Sequence, residues 1–417
     1  MRIRSIAAGA SLAALLLAGH ALAQDTAALV RQCDMLASSP ADEQKPADIE
    51  GVGRGDIDKD KAIPACEAAL AASPDEPRMA FNLGRVLDAT KTDMPRSAEL
   101  YERAAQKDYV VAMLNLGVAY ENGLGKAKDV AQAVIWYRKA AASNFAPAQG
   151  RLGAIYALGD GVPKDMEAAL RWLRSASEQS EPTALLTLGI LHLRGDGVEQ
   201  SAPVAAGLVE RAATIGTPFA ENLMGDMSLG YKGHRGDLKE ALKWFERAAN
   251  HKVPAAQCIV GSAYMEGNGV ERDPEKGVYW LTEAAAQGSE LARYSLACYF
   301  QAGVHVKKDE ARAFALFKHA AEKGQTPAQT HLGLGYLLGR GAPTNETEAL
   351  KWITKSATNG WPEGMCALAR LYRDGHAGLP ADASLAVKWF QLAAEKGDPG
   401  AQCEFFEGAP TARRHSG

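Results

Sequence analysis

Several local patterns in the 417-residue chain have the residue types that chemistry would use. Gly123-Leu-Gly-Lys126 has the flavour of a phosphate-cradling loop, yet it lacks the leading Gly and the Ser or Thr after the Lys that such a loop uses. Gly-Asp-Gly at 159–161 and again at 195–197 suggests calcium, but the alternating acidic ligands of a calcium loop are missing. His192, His234, His305, His331 and His376 are scattered without the close pairing that metal ligation needs, and His192 reads as a partly buried core residue. Neither G-x-S-x-G nor H-E-x-x-H occurs. The sequence therefore predicts no catalytic residue, no metal and no cofactor.

The six cysteines say more. Cys33 and Cys66 lie in two helix-like stretches, Thr26–Ala37 and Lys59–Ala72, on either side of a loop rich in Pro, Asp and Gly. In an oxidising compartment they are positioned to form a disulfide. Export is itself predicted: Arg2 and Arg4 precede the apolar run 6–17, and Ala21-Leu22-Ala23 supplies small residues for cleavage after Ala23. The run is too short to span a bilayer comfortably, so the mature chain is expected to be periplasmic or secreted, with no transmembrane segment. Loss of Arg2 and Arg4 takes the formal net charge from -4 to -6, with both signs mixed along the chain. No basic stripe is available for phosphates, which argues against nucleic acid.

The phosphate-like and calcium-like loops are copies of one pattern with a 36-residue period. An anchor position reads Gly117, Gly153, Gly189, Gly225, Gly261, Ala297, Gly333 and Ala369, without insertion or deletion between them. Leu152 and Tyr156 flank one anchor at helical spacing, and Leu116 and Tyr120, Val260 and Tyr264, Leu332 and Tyr336, and Leu368 and Tyr372 repeat the arrangement as candidate core. The small anchor implies that another backbone passes close by. Two loop glycines follow, then a residue suited to cap a second helix: Asp129, Asp165, Ser201, Asp237, Asp273, Asp309, Asn345 or Asp382. Glu240 and Glu348 extend two of these to capping-box patterns. The second helix carries Trp136, Trp172, Trp244, Trp280, Trp352 or the shifted Trp389, often followed by an Ala-Ala pair. Six of seven tryptophans thus belong to the repeat rather than to carbohydrate stacking.

This constellation resembles the Sel-one-like repeat family, relatives of tetratricopeptide repeats. The resemblance implies an all-α fold, a right-handed superhelical solenoid of antiparallel helix pairs, used as a scaffold for protein assembly. The expected organisation is a signal peptide (1–23), an N-terminal helical segment with a shortened capping repeat (24–110), eight 36-residue repeats (111–398), and a partial helix with a disordered tail (399–417). The unfinished last repeat is a possible surface for self-association.

Cys258, Cys366 and Cys403 share one repeat position and Cys298 lies one after an anchor. Pairing Cys258 with Cys298, or Cys366 with Cys403, would need adjacent first helices to approach more closely than their usual 9–10 Å spacing; free thiols are the alternative. By analogy with tetratricopeptide units, the concave groove is expected to contain Leu114, Val118, Leu186, Ile190, Leu193, Asn222, Asp226, Met265, Tyr294, Leu334, Leu337, Arg370 and Arg373. It would be apolar in the middle and basic at the far end, suited to a protein or peptide with an acidic portion. Gly150, Ala154 and Ala157 suggest a shallow place in the second full copy. Alternatives are an envelope factor that binds peptidoglycan or another glycan and, more remotely, a cell-wall or β-lactam hydrolase. Mass spectrometry of the exported protein should find Gln24 as its first residue; an intact leader would refute the expected processing.

Overall fold

The computed structural model describes residues 25–230 and 236–396, and among these the regular structure is helical throughout, with no strand. The chain forms two compact units, one up to Ile215 and the other from Gly216. In the first unit α1 (25–37) and α2 (Lys59–Ala72) lead into α3 (Pro77–Ala89) and α4 (Met94–Ala105). Three full pairs follow: α5 (Val110–Asn122) with α6 (Val130–Ala142), α7 (Ala146–Leu158) with α8 (Met166–Glu178), and α9 (Pro182–Arg194) with α10 (Ala202–Thr214). The second unit holds α11 (Pro218–Ser228) with α12 (Leu238–Asn250), α13 (Pro254–Glu266) with α14 (Pro274–Ala286) and α15 (Glu290–Ala302) with α16 (Glu310–Glu322). It continues with α17 (Thr326–Leu338) paired to α18 (Glu346–Thr358) and α19 (Pro362–Asp374) paired to α20 (Ala383–Glu395). Each unit is a solenoid of antiparallel helix pairs in which every helix packs on its chain neighbours. The expected leader, Gly397, and the partial helix with its tail lie outside the described residues.

The anchor is explained by contact within a pair. A Cβ built at Gly117 would lie 2.4 Å from Tyr137, and at Gly153, Gly189, Gly225 and Gly333 it would lie 2.6 Å from Leu173, Val209, Phe245 and Ile353. The nearest obstacle is thus a second-helix side chain twenty positions on, not a passing backbone; carbonyls such as Ala169 and Ala349 come next, at 3.1 Å. These partners are buried, Tyr137, Leu173, Val209 and Ile353 completely so. Leu116, Leu152, Val260 and Leu332 beside the anchors are also fully buried. The tryptophans one position earlier are mostly half-buried.

All eight capping residues accept from the first turn of their second helix, from Asp165 (Ala168 N–H, 2.9 Å) to Asp382 (Leu385 N–H, 2.9 Å). Their own N–H groups donate back to the first helix, Asp165 to Tyr156 O at 3.0 Å and Asn345 to Tyr336 O at 2.9 Å. That donor is therefore spoken for, and the capping-box glutamates turn elsewhere: Glu348 takes Lys351 and the Trp352 indole N–H (2.9 Å), and Glu240 takes Lys243. The loop glycines sit at positive φ, 72° at Gly123 and 71° at Gly125.

Buried polar ladders tie successive pairs. Gln149 and Gln257 donate to Ala141 O (3.4 Å) and Ala249 O (3.1 Å) of the preceding second helix. They accept from Gln179 (3.1 Å) and Gln287 (2.7 Å). In α11 the same slot holds Glu221, fully buried, with Arg247 at 3.0 Å and His251 at 2.7 Å.

At the amino-terminal end α1 and α2 cover the shortened repeat. Cys33 and Cys66 are joined in a disulfide with their Cα atoms 4.7 Å apart. The buried Asp34 accepts from Arg78 Nε (3.0 Å) and Asn82 (2.9 Å), and Arg85 donates to the carbonyls of Ala37 (2.9 Å) and Val52. Burial raises the Asp34 carboxyl above its ordinary value while Arg78 opposes the rise. The glycine anchors of the repeats, by contrast, leave no room for a branched side chain. Replacing Gly153 by Val should destabilise the first unit by roughly 1–3 kcal/mol through overpacking against Leu173, measured by urea denaturation; an unchanged midpoint would disprove the tight contact.

Candidate functional site

The residues expected in the groove lie on the first helices of the repeats and differ in burial. In the first unit Leu114, Val118, Leu186 and Ile190 are half-buried, whereas Leu193 is buried, at 7% exposure. Val118 also lines a hollow of about 180 Å³ with Asn115, Tyr101 and Leu124. The small slot at Gly150 is already filled: a Cβ there would lie 2.1 Å from Glu181 Oε2, which caps α9 by accepting from Ala184 N–H at 2.7 Å. Nothing further fits over that glycine.

In the second unit Met265 is fully buried and packs against Gly277 of its own second helix, so it belongs to the core rather than the groove. Leu334 and Leu337 rest partly on the core around α19. The basic end is weaker than its sequence suggests, because exposed Arg373 is held by Asp374 through two bonds, at 2.6 and 2.8 Å. Arg370 remains half-buried beside it. Asn222 donates to the exposed Asp226 at 3.3 Å. No ion pair engages Asp226 among the described residues, and desolvation alone raises its carboxyl above the usual range.

A groove of about 760 Å³ runs along α13, reaching from Pro254 and Leu291 at one end to Leu238 and Asn268 at the other. Its apolar walls are side chains that sequence reasoning missed: Leu291 is 57% exposed, Leu238 45% and Ile259 37%. Ile259 and Leu291 sit on first-helix rows two and six residues before the anchor, whereas Leu238 opens the second helix α12. A stripe spaced i, i+4, i+7 through Ala255, Ile259 and Ser262 carries that signal in the sequence.

Beside the groove lies a polar cluster. His331 stacks on Phe317, with ring centroids 4.5 Å apart. Its Nδ1 sits 3.1 Å from Gln301 Oε1 and its Nε2 3.4 Å from the Tyr294 hydroxyl, which also reaches the Cys298 thiol. Burial lowers the imidazole to about 4 and raises both the Cys298 and Cys258 thiols. A thiol and an imidazole that burial both holds toward their neutral forms lack the charge separation of an activated nucleophile. Cys258 and Cys298 are free. Cys366 is disulfide-bonded; Cys403, the partner considered for it from the repeat position, lies outside the described residues, as does His234. Among the described residues no group of three or more His, Cys, Asp or Glu side chains could hold a metal ion, and no helix is long and apolar enough to cross a membrane.

The outer helices carry the tryptophans, several faced by cations: Lys139 lies 4.2 Å from the Trp136 ring centre, Arg247 4.6 Å from Trp244 and Lys355 5.0 Å from Trp352. Those faces are engaged within the protein.

The Sel1 repeat model matches nine times, at 77–109, 110–145, 146–181, 182–216, 218–253, 254–289, 291–325, 326–361 and 362–398. The chain belongs to the Sel1 repeat family. Among solved structures it is similar to c5321, described as a protective antigen of uropathogenic Escherichia coli strains displaying an SLR fold. That match has 29% identity and a TM-score of 0.64 over 82% of this chain and 73% of the other. It is also similar to a Sel1 repeat protein from Oxalobacter formigenes, with 28% identity and a TM-score of 0.53 over 59% of this chain and 96% of that one. No curated protein matches. The Sel1 solenoid is typically a protein-interaction scaffold, and the family is generally non-catalytic.

His331 links this Sel1 solenoid to pH. Its folded value lies below that of an unfolded histidine, so the unfolded chain binds the extra proton, and stability present above about pH 6.5 is lost as pH falls toward 4. Acidification across that window should cost the second unit on the order of 1–3 kcal/mol, and His331→Gln should flatten the dependence. Equal pH profiles for the two proteins in thermal denaturation would contradict this.

Proposed function

We propose that this Sel1 repeat protein is an exported scaffold that holds a partner protein or peptide on the inner face of its second unit, without chemistry of its own. The observation carrying the proposal is the groove along α13, in which Ile259 and Leu291 leave a large part of their apolar surface exposed. Contiguous apolar surface of this kind on a soluble domain marks an interaction site. Export rests on the amino-terminal pattern, and similarity to a protective antigen is in keeping with it. The absence of an activated nucleophile at Cys298 favours a scaffold over a hydrolase. No observation favours glycan binding, since cations flank several of the tryptophans that would stack on sugar.

The test is affinity capture by the mature protein from a periplasmic extract of its host, set beside the variant Ile259→Ser with Leu291→Ser. Recovery of the same partner should fall by about tenfold or more, because each truncation removes a buried apolar contact worth about 1 kcal/mol or more. Equal recovery by both proteins, with matching circular dichroism, would remove the groove from the function.

A further inference from the structure

The hollow between α4 and α5 in the first unit is explained by comparing it with the same place one repeat further on. There, between α6 and α7, Val134 and Ile155 are buried, and Glu121 accepts from the Tyr137 hydroxyl and from Arg151 at 3.2 Å. The slots of Val134, Ile155 and Arg151 are held in the earlier copy by Ala98, Ala119 and Asn115. Asp88, which follows Gly84 as Glu121 follows Gly117, accepts from the Tyr101 hydroxyl at 3.1 Å. Asn115 is too short to act as Arg151 does, and the guanidinium comes instead from Arg54, in the connection between α1 and α2. Three walls are thus smaller than their counterparts, and Val118 in place of Ala154 restores only part of the volume. What they enclose is about 180 Å³.

The chemistry of the hollow is as restricted as its size. Ala98, Ala119 and Tyr101 form a buried floor, while Leu124, 38% exposed, and Arg54 stand at the mouth. Arg54 and Asp88 neutralise one another. The Ser97 hydroxyl is engaged by Gly84 O at 2.7 Å and the Tyr101 hydroxyl by Asp88. Asn115 is half-buried, and its amide makes no hydrogen bond among the described residues. One side chain therefore remains that can both donate and accept. An apolar cavity of about 150 Å³ is enough to admit a benzene ring.

We propose that this hollow is a binding site for an uncharged molecule of one substituted ring, whose apolar body rests on Ala98 and Ala119 and whose single hydroxyl or amide group bonds to Asn115. A carboxylate or ammonium would bring a charge that no group here is left to neutralise, and burying such a charge unpaired is costly. The site is separate from the α13 groove, which belongs to the other unit.

The test is isothermal titration of the full mature chain with p-cresol, toluene and p-toluate. p-Cresol should bind at one site with a dissociation constant below about 1 mM, the range open to so small a ligand. Toluene, which lacks the hydroxyl, should bind about three- to tenfold more weakly, and Asn115→Ala should impose the same loss on p-cresol while sparing toluene. p-Toluate should bind at least about tenfold more weakly than p-cresol. Ala98→Val with Ala119→Ile installs the side chains of the next repeat, and should abolish binding with circular dichroism unchanged. Ala119→Ile alone adds less bulk and should still weaken binding by about tenfold or more, which decides the point if the double variant fails to fold. Ile259→Ser with Leu291→Ser should leave p-cresol binding intact. No saturable binding of p-cresol, equal binding of p-toluate, undiminished binding by a filled variant, an Asn115→Ala affinity for p-cresol equal to wild type, or loss of binding in the α13 groove variant would each overturn the assignment.

Discussion

The stack depends on how closely the two helices of each repeat approach. At Gly153 the space for a Cβ is taken by Leu173, and the same holds at Gly117 against Tyr137 and Gly333 against Ile353. A glycine in the middle of a helix costs about 1 kcal/mol of propensity relative to alanine. The cost is offset because its absence of a side chain lets a large second-helix residue bury completely. The caps follow from this approach. With the helices so near, the cap N–H reaches the first-helix carbonyl three residues past the anchor, and the cap side chain starts the second helix. One contact thus fixes the geometry of the pair and the loop that joins it.

Polar groups buried by the stack have been paired in repeat-specific ways. Gln149, Gln257 and Gln329 bond to a carbonyl of the preceding repeat and accept from the end of their own. Glu221, which has no N–H to give in the same place, is instead met by Arg247 at 3.0 Å and His251 at 2.7 Å. The amino-terminal segment works in the same way, with Asp34, Arg78, Asn82 and Arg85 sealing α1 onto α3 beside the Cys33–Cys66 bridge. The shortened repeat therefore has a covered face, which its atypical sequence did not announce.

The proposed function draws on what the stack leaves exposed. Leu291 and Ile259 remain largely open along the α13 groove, whereas Leu238 at its end also packs on Gly269 of the next loop. His331, by contrast, is fixed by Phe317, Gln301 and Tyr294, and the thiol beside them stays protonated. The region thus joins an open apolar groove to a buried polar cluster.

The sequence by itself determined the repeat: its period, the buried Leu and Val row, the eight caps and the helix pairs all come from local rules of periodicity and hydrogen-bond satisfaction, which act within one copy, while the expected Tyr row is half-buried except at Tyr156. It did not rank the first-helix rows by exposure, because rows one residue apart differ by about 100° around a helix. Only the positions of neighbouring helices decide which row is covered. Thus Met265 and Leu193, allotted to the groove, are buried, while Ile259 and Leu291 on an adjacent row are open. Likewise Gly150 reads as vacant in the sequence although Glu181 of the next repeat fills it, and Arg373 reads as available although Asp374 holds it. Burial and charge pairing are sums over residues that the fold brings together, and those sums are set by tertiary structure rather than by any one repeat.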